Sequence, residues 1–66
     1  MEVRIVITKD GEEVFVRNRV ILEEVAEYKD TLVLCFKYGD SISYEVTLKI
    51  KDTTNYSVTI TKPLEN

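Results

Sequence analysis

Four kinds of side chain in this sequence have chemistry to offer: clustered carboxylates, three nearby arginines, one cysteine and four tyrosines. Histidine and tryptophan are both absent. Histidine is the commonest general base and metal ligand, so Ser-His-Asp and Cys-His catalysis are excluded. One cysteine alone does not supply the usual ligands of a zinc site. We therefore expect no enzymatic activity, no metal and no cofactor.

The carboxylates form a run in the middle of the chain, at Glu23, Glu24, Glu27 and Asp30. Paired carboxylates can perform acid/base chemistry, and carboxylates also bind calcium. All connections between the predicted elements are short, so no loop forms a pocket for a substrate, and the ligand spacing of a calcium loop is missing. A solvated acidic face, able to meet a basic partner, is the favoured interpretation.

Arg4, Arg17 and Arg19 form the only tight basic group, and the predicted strand pairing places Arg4 opposite Arg17. Like charges are normally avoided at such positions, so these residues are the candidate contact for an anion or phosphate. The alternative is a set of solvated charges. The net charge of -3 and the pI near 4.8 disfavour nucleic acid as a partner.

The tyrosines and the cysteine have structural and functional interpretations. Tyr44 and Tyr56 fall on the predicted inner face and Tyr38 at a strand end, where aromatic rings could stack on nucleic acid bases. Core residues with hydroxyls at the rim are the favoured interpretation. Cys35 is predicted to be a small, half-buried residue opposite Glu45. With no second cysteine and no basic-then-apolar leader, we expect a cytoplasmic protein without a membrane segment.

The elements that would position these residues are strands, because apolar residues alternate with a period of two. Asp10-Gly11 predicts a two-residue type I′ hairpin turn. This turn pairs Lys9 with Glu12, Ile7 with Val14, Ile5 with Val16 and, on the other face, Val6 with Phe15; Glu2 then faces Arg19.

Residues 19–28 leave two alternatives open. Val20 and Leu22 continue the inward-facing set, and a β-bulge near Glu23 or Glu24 would bend a long second strand. A short helix is the competing interpretation, since Ile21, Val25 and Tyr28 have helical spacing and Asn18 could cap it. The β-branched residues favour the strand.

Three further strands follow, at 31–38, 42–50 and 55–61, joined by turns at 39–41 and 52–54. The second hairpin pairs Phe36 with Tyr44 and Leu34 with Val46. We expect one domain over 1–62 and a short tail over 63–66. The predicted fold is all-β, a five-stranded antiparallel meander that forms a small barrel or a strongly twisted sheet. An α+β fold with one helix near 19–28 is the alternative.

A second apolar cluster lies on the face opposite the predicted core: Val6, Phe15, Ile21, Val33 and Cys35. It is the candidate interface, and the alternative is that closure of the barrel or the bend in the second strand buries part of it. A chain of 66 residues can hardly bury two apolar faces alone. We therefore expect a non-enzymatic protein-interaction module, docking by that face or by an unpaired strand edge of the first or last strand. It would act as a homodimer or as a small acidic subunit or inhibitor of a type common in bacteria, archaea and phages. The alternative is a small barrel that binds single-stranded nucleic acid through Arg4, Arg17 and Arg19.

Overall fold

Five strands follow one another in the computed structural model, which describes residues 1–50 and 55–65. They are β1 (Val3–Lys9), β2 (Glu12–Glu27), β3 (Thr31–Lys37), β4 (Ser43–Lys49) and β5 (Tyr56–Thr61). Every pairing between them is antiparallel. The predicted all-β fold is confirmed, and residues 19–27 belong to the long second strand rather than to a helix.

The strands are ordered β4-β3-β2-β1-β5 in a single sheet. The first four form a meander, whereas β5 returns to the other side of β1, with Ile60 opposite Ile5 and Val58 opposite Ile7. The prediction that β5 follows β4 in the sheet was therefore wrong. The alternating pattern of β5 fits either edge equally well, and β1 offers the more apolar neighbours. The turn predicted at 52–54 lies outside the described residues.

The sheet is bent but not closed into a barrel. Strand β2 belongs to both halves: its first part, up to Val20, pairs with β1, and its second part, from Ile21, pairs with β3. No Cα atom of β4 lies within 8 Å of a Cα atom of β5. The two end strands therefore remain separate, and of the two predicted closures the open sheet is the one that forms.

The β1–β2 hairpin begins as predicted and then departs from the predicted pairing. Asp10 and Gly11 have φ of 53° and 87°, as a type I′ turn requires, and Lys9 pairs with Glu12. After Thr8, however, Ile7 pairs with Phe15 instead of Val14. One extra residue in β2 causes this shift, which is a β-bulge.

A second and a third bulge follow along β2. The second lies opposite Arg4, where the pairing changes between Ile5 and Val3 and where Arg19 has a left-handed φ of 60°. The third leaves Glu23 unpaired between two β2–β3 pairs. The bulge predicted near Glu23 or Glu24 is thus confirmed, and the other two were not predicted. Because of the first two bulges, Ile5 faces Arg17 and not Val16, and Val3 faces Val20.

The core lies on the concave face of the bent sheet. Its buried members come from β1, β2 and β3: Ile5, Ile7, Phe15, Val20, Leu32, Leu34 and Phe36. Strands β4 and β5 contribute half-buried residues, among them Val46, Leu48 and Val58. Phe36 pairs with Tyr44 and Leu34 with Val46, as predicted.

The segment after β5 folds back to the second bulge. The Leu64 amide donates to Asn18 Oδ1 at 2.9 Å, and Asn18 Nδ2 donates to the Leu64 carbonyl at 3.1 Å. The Asn18 side chain therefore forms the two hydrogen bonds that a neighbouring strand would otherwise give to the Leu64 backbone. These bonds hold the predicted tail against β2.

The first bulge can be tested by comparing two neighbouring residues. Phe15→Ala is expected to lower the free energy of unfolding by about 3 kcal/mol or more, because the ring packs in the core. Val14→Ala should cost about 1 kcal/mol or less, because the Val14 side chain is 47% exposed. Urea denaturation followed by circular dichroism measures both. A larger loss for Val14→Ala would indicate the hairpin pairing without the bulge.

Candidate functional site

The predicted interface cluster is divided between the two faces of the sheet. Val6 is buried on the convex face, where it pairs with Val16 and Thr59. Ile21, Val33 and Cys35 are half-buried on the same face. Phe15 instead packs in the concave core, because the bulge at Val14 moves it to the face of Ile7. Its prediction as a member of the second face was wrong, and the cluster is smaller and less exposed than expected.

The three predicted anion-contact arginines do not form one patch. The guanidinium carbon of Arg17 lies 4.5 Å from the centroid of the Phe15 ring, on the concave side. Arg19 forms an ion pair of 3.5 Å with Glu2, as the sequence suggested. Arg4 lies opposite Thr61 and does not face Arg17, so the predicted like-charge pair is absent. The bulge at Val14 is the reason, because it moves Arg17 from the position opposite Arg4 to the position opposite Ile5.

Aromatic rings form a cluster at one end of the concave face. Phe36 lies 5.9 Å from Phe15 and from Tyr44, and 6.0 Å from Tyr38, measured between ring centroids. The two phenylalanines are buried, whereas Tyr38 and Tyr44 are 43% and 45% exposed. Tyr56 lies elsewhere, half-buried against the core. The favoured interpretation of the tyrosines as core residues with rim hydroxyls agrees with these positions.

Within residues 1–50 and 55–65, the outer edge of β4 carries the most regular set of backbone hydrogen-bonding groups that point away from a neighbouring strand. The amide of Ile50 donates to the carbonyl of Asp30 at 3.0 Å, so these directly opposed residues form a hydrogen-bonded pair. In an antiparallel ladder such pairs alternate with pairs whose backbone groups point outward. The residues of β4 that direct N–H and C=O away from β3 are therefore Ser43, Glu45, Thr47 and Lys49.

One side chain of the described residues reaches this edge. Lys9 Nζ donates to the carbonyl oxygen of Lys49 at 3.5 Å, which agrees with that carbonyl pointing away from β3. Beside this contact lies an open cavity of about 240 Å³. Its apolar lining comes from both halves of the sheet, namely Ile7, Val14, Leu48, Ile50 and Tyr56. The gap between β4 and β5 is thus apolar inside and polar at its backbone rim.

Sequence reasoning did not find this site, because it assigned free edges to the first and last strands. Strand β1 lies inside the sheet, and β4 lies at an edge. A signal was present in the strand itself, since Glu45 and Lys49 carry opposite charges on one face while Val46 and Leu48 alternate with them on the other. As long as the position of β5 in the sheet is unknown, however, the sequence of β4 is interpreted as that of an interior strand.

No metal site is evident in residues 1–50 and 55–65, where no three acidic or cysteine side chains are grouped for binding an ion. The same residues contain no helix that is long and apolar enough to span a bilayer. No protein-family model matches the sequence, and neither a curated protein nor a solved structure is significantly similar to it.

Cys35 lies on the convex face next to β4, with its thiol 4.0 Å from Glu45 Oε2. Partial burial of the thiol, together with the carboxylates of Glu45, Glu24 and Glu23, raises the pKa of Cys35 above its ordinary value. A raised pKa leaves less of the reactive thiolate at neutral pH, so the residue is poorly suited to nucleophilic chemistry.

This effect predicts a measurable change in reactivity. At about pH 8, iodoacetamide should alkylate Cys35 more slowly than a free thiol, because the raised pKa leaves a smaller fraction of Cys35 as thiolate. Glu45→Gln removes the nearest carboxylate, lowers the pKa and should speed alkylation several-fold. Glu27→Gln is the control, because Glu27 is not among the carboxylates that raise the pKa of this thiol. Equal rates in both variants would contradict the role of Glu45.

Proposed function

We propose that this chain is a non-enzymatic protein-interaction module that binds an extended polypeptide segment along the free edge of β4. The single observation that carries the proposal is the outward-facing backbone of Ser43, Glu45, Thr47 and Lys49. Partner strands add to such edges through main-chain hydrogen bonds, and alternate side chains supply specificity. Natural edge strands are commonly blocked by proline or distorted by bulges. Strand β4 contains no proline and its pairing with β3 has no irregularity.

The side chains beside this edge define the chemistry of the segment. On the convex face, Glu45 and Lys49 are exposed, so they favour a basic and an acidic side chain, respectively, in the partner. On the concave face, Val46 and Leu48 are half-buried and Leu48 lines the apolar cavity, which favours apolar side chains in the partner. The partner segment is therefore an extended strand that alternates between charged or polar and apolar residues.

The edge of β5 is a weaker candidate for the same role. The Asp10 amide donates to the Asn55 carbonyl at 2.7 Å, so Tyr56, Val58 and Ile60 direct their backbone groups outward. This strand has no charged side chain to select a partner or a pairing. Electrostatic complementarity contributes specificity more than raw affinity, so its absence disfavours β5 as the specific site.

Nucleic acid binding has less support. The alternative required Arg4, Arg17 and Arg19 to act together beside exposed aromatic rings. Arg17 alone lies next to the aromatic cluster, Arg19 is paired with Glu2, and the net charge is -3. We expect a short oligothymidine at low salt to show no binding in fluorescence anisotropy. Salt-sensitive binding that disappears in Arg17→Glu would instead establish the nucleic acid function.

The proposed edge can be tested with a proline substitution that spares the fold. The probe is a synthetic peptide with the sequence of residues 43–50, added to isotopically labelled chain. Binding should protect the backbone amides of Glu45 and Lys49 from hydrogen exchange. Thr47→Pro should abolish this protection, because it removes an outward N–H and leaves the hydrogen bonds to β3 intact.

Val58→Pro is the matched control, because it removes an equivalent outward N–H from the edge of β5. Circular dichroism should show that both variants keep the sheet, and Val58→Pro should bind the peptide like the original chain. Free exchange of the Glu45 and Lys49 amides both with and without the peptide, or equal loss of protection in both variants, would contradict the proposal.

A further inference from the structure

We infer that the strand docked on β4 is β4 of a second copy, in an antiparallel pairing centred on Thr47. This inference rests on the proposed function and specifies its partner. Closed twofold dimers are the commonest oligomers, and their interfaces require one patch to be complementary to itself. The edge of β4 meets this requirement in one particular pairing.

Backbone geometry limits the pairings that two copies of β4 can adopt. Only Ser43, Glu45, Thr47 and Lys49 offer outward hydrogen-bonding groups. Each of them that pairs with a second copy must therefore lie opposite another outward-facing residue, since the intervening residues use their backbone groups with β3. Pairings shifted by a single residue are excluded for this reason.

Charge then selects among the remaining pairings. When Thr47 lies opposite Thr47 of the second copy, Glu45 of each copy lies opposite Lys49 of the other. Opposite charges at such positions stabilise a sheet. Shifting the pairing by two residues in either direction places Glu45 or Lys49 opposite Thr47 of the second copy and breaks both charge pairs.

The concave face agrees with the same pairing. Residues directly opposite each other share a face of the sheet, so Val46 meets Leu48 of the second copy and Tyr44 meets Ile50. In one copy Val46, Leu48 and Ile50 are half-buried, and Tyr44 is 45% exposed. The dimer thus covers apolar surface that the open sheet leaves exposed beside the cavity.

The contact of Lys9 with this edge is compatible with the dimer. The Lys49 carbonyl that accepts from Lys9 Nζ at 3.5 Å also faces the amide of Glu45 in the second copy. A carbonyl oxygen has two lone pairs and can accept from both groups. Lys9 is the only described side chain that bonds to an outward carbonyl of β4, so strand addition displaces little.

Charge exchange provides a test of the pairing itself. Sedimentation equilibrium should show a dimer for the original chain. Glu45→Lys and Lys49→Glu should each weaken dimerisation by about tenfold or more, because two attractive pairs become repulsive. An equal mixture of the two variants should recover the original affinity, since one copy then has two lysines and the other two glutamates at these positions. Glu13→Lys is the control for Glu45→Lys, since it makes the same change of charge on a surface away from β4.

Each outcome of this test has a defined meaning. Recovery in the mixture, with a monomer for Thr47→Pro, supports the pairing centred on Thr47. Weakening without recovery in the mixture overturns that pairing. A dimer that resists Thr47→Pro overturns the use of β4. A monomeric original chain overturns the inference, and peptide protection at Glu45 and Lys49 in that monomer would leave the proposed function intact.

Discussion

The structure depends on one strand that belongs to both halves of the sheet. An antiparallel strand with strict alternation would present a single apolar face and remain nearly straight. Each of the three extra residues of β2 bends the strand and shifts its pairing by one residue. After each shift, the apolar residues that follow again point to the concave face. They bring Phe15 against Phe36 across the bend, with 5.9 Å between ring centroids. Without these bulges the halves would form one extended sheet, and Ile5 and Leu34 would not share a core.

The sequence allowed a correct prediction of what depends on local pattern. The type I′ turn at Asp10-Gly11, the strand over 19–27, the bulge near Glu23 and the β3–β4 pairing all follow from alternation and turn chemistry. The other two bulges were missed because Val14 and Val16 continue an apolar alternation that fits a straight strand equally well. Packing decided between the alternatives, since Phe15 fills more of the core than Val14 would.

The candidate site was missed for a reason of topology. A strand edge becomes available only when its neighbours are known, and alternation does not indicate which edge β5 will join. Once β5 joins β1, the outward backbone groups of β4 and their spacing follow from one hydrogen bond outside the regular ladders, from the Ile50 amide to the Asp30 carbonyl. The predicted interface residues Val6, Ile21, Val33 and Cys35 remain on the convex face, where their partial burial leaves little apolar surface for a partner.

The bulges also determine which inherited changes this chain can tolerate. Side chains alternate between the faces of a strand, so losing the codon of a paired residue within β2 would move a whole stretch of side chains to the opposite face. The loss of Val16, for example, would bring Arg17 opposite Val6 and Asn18 opposite Ile5 in the core. A codon gained or lost in the turn at 39–41 would change only a surface loop. Descendants of this chain should therefore vary in the residues of β2 but keep its length.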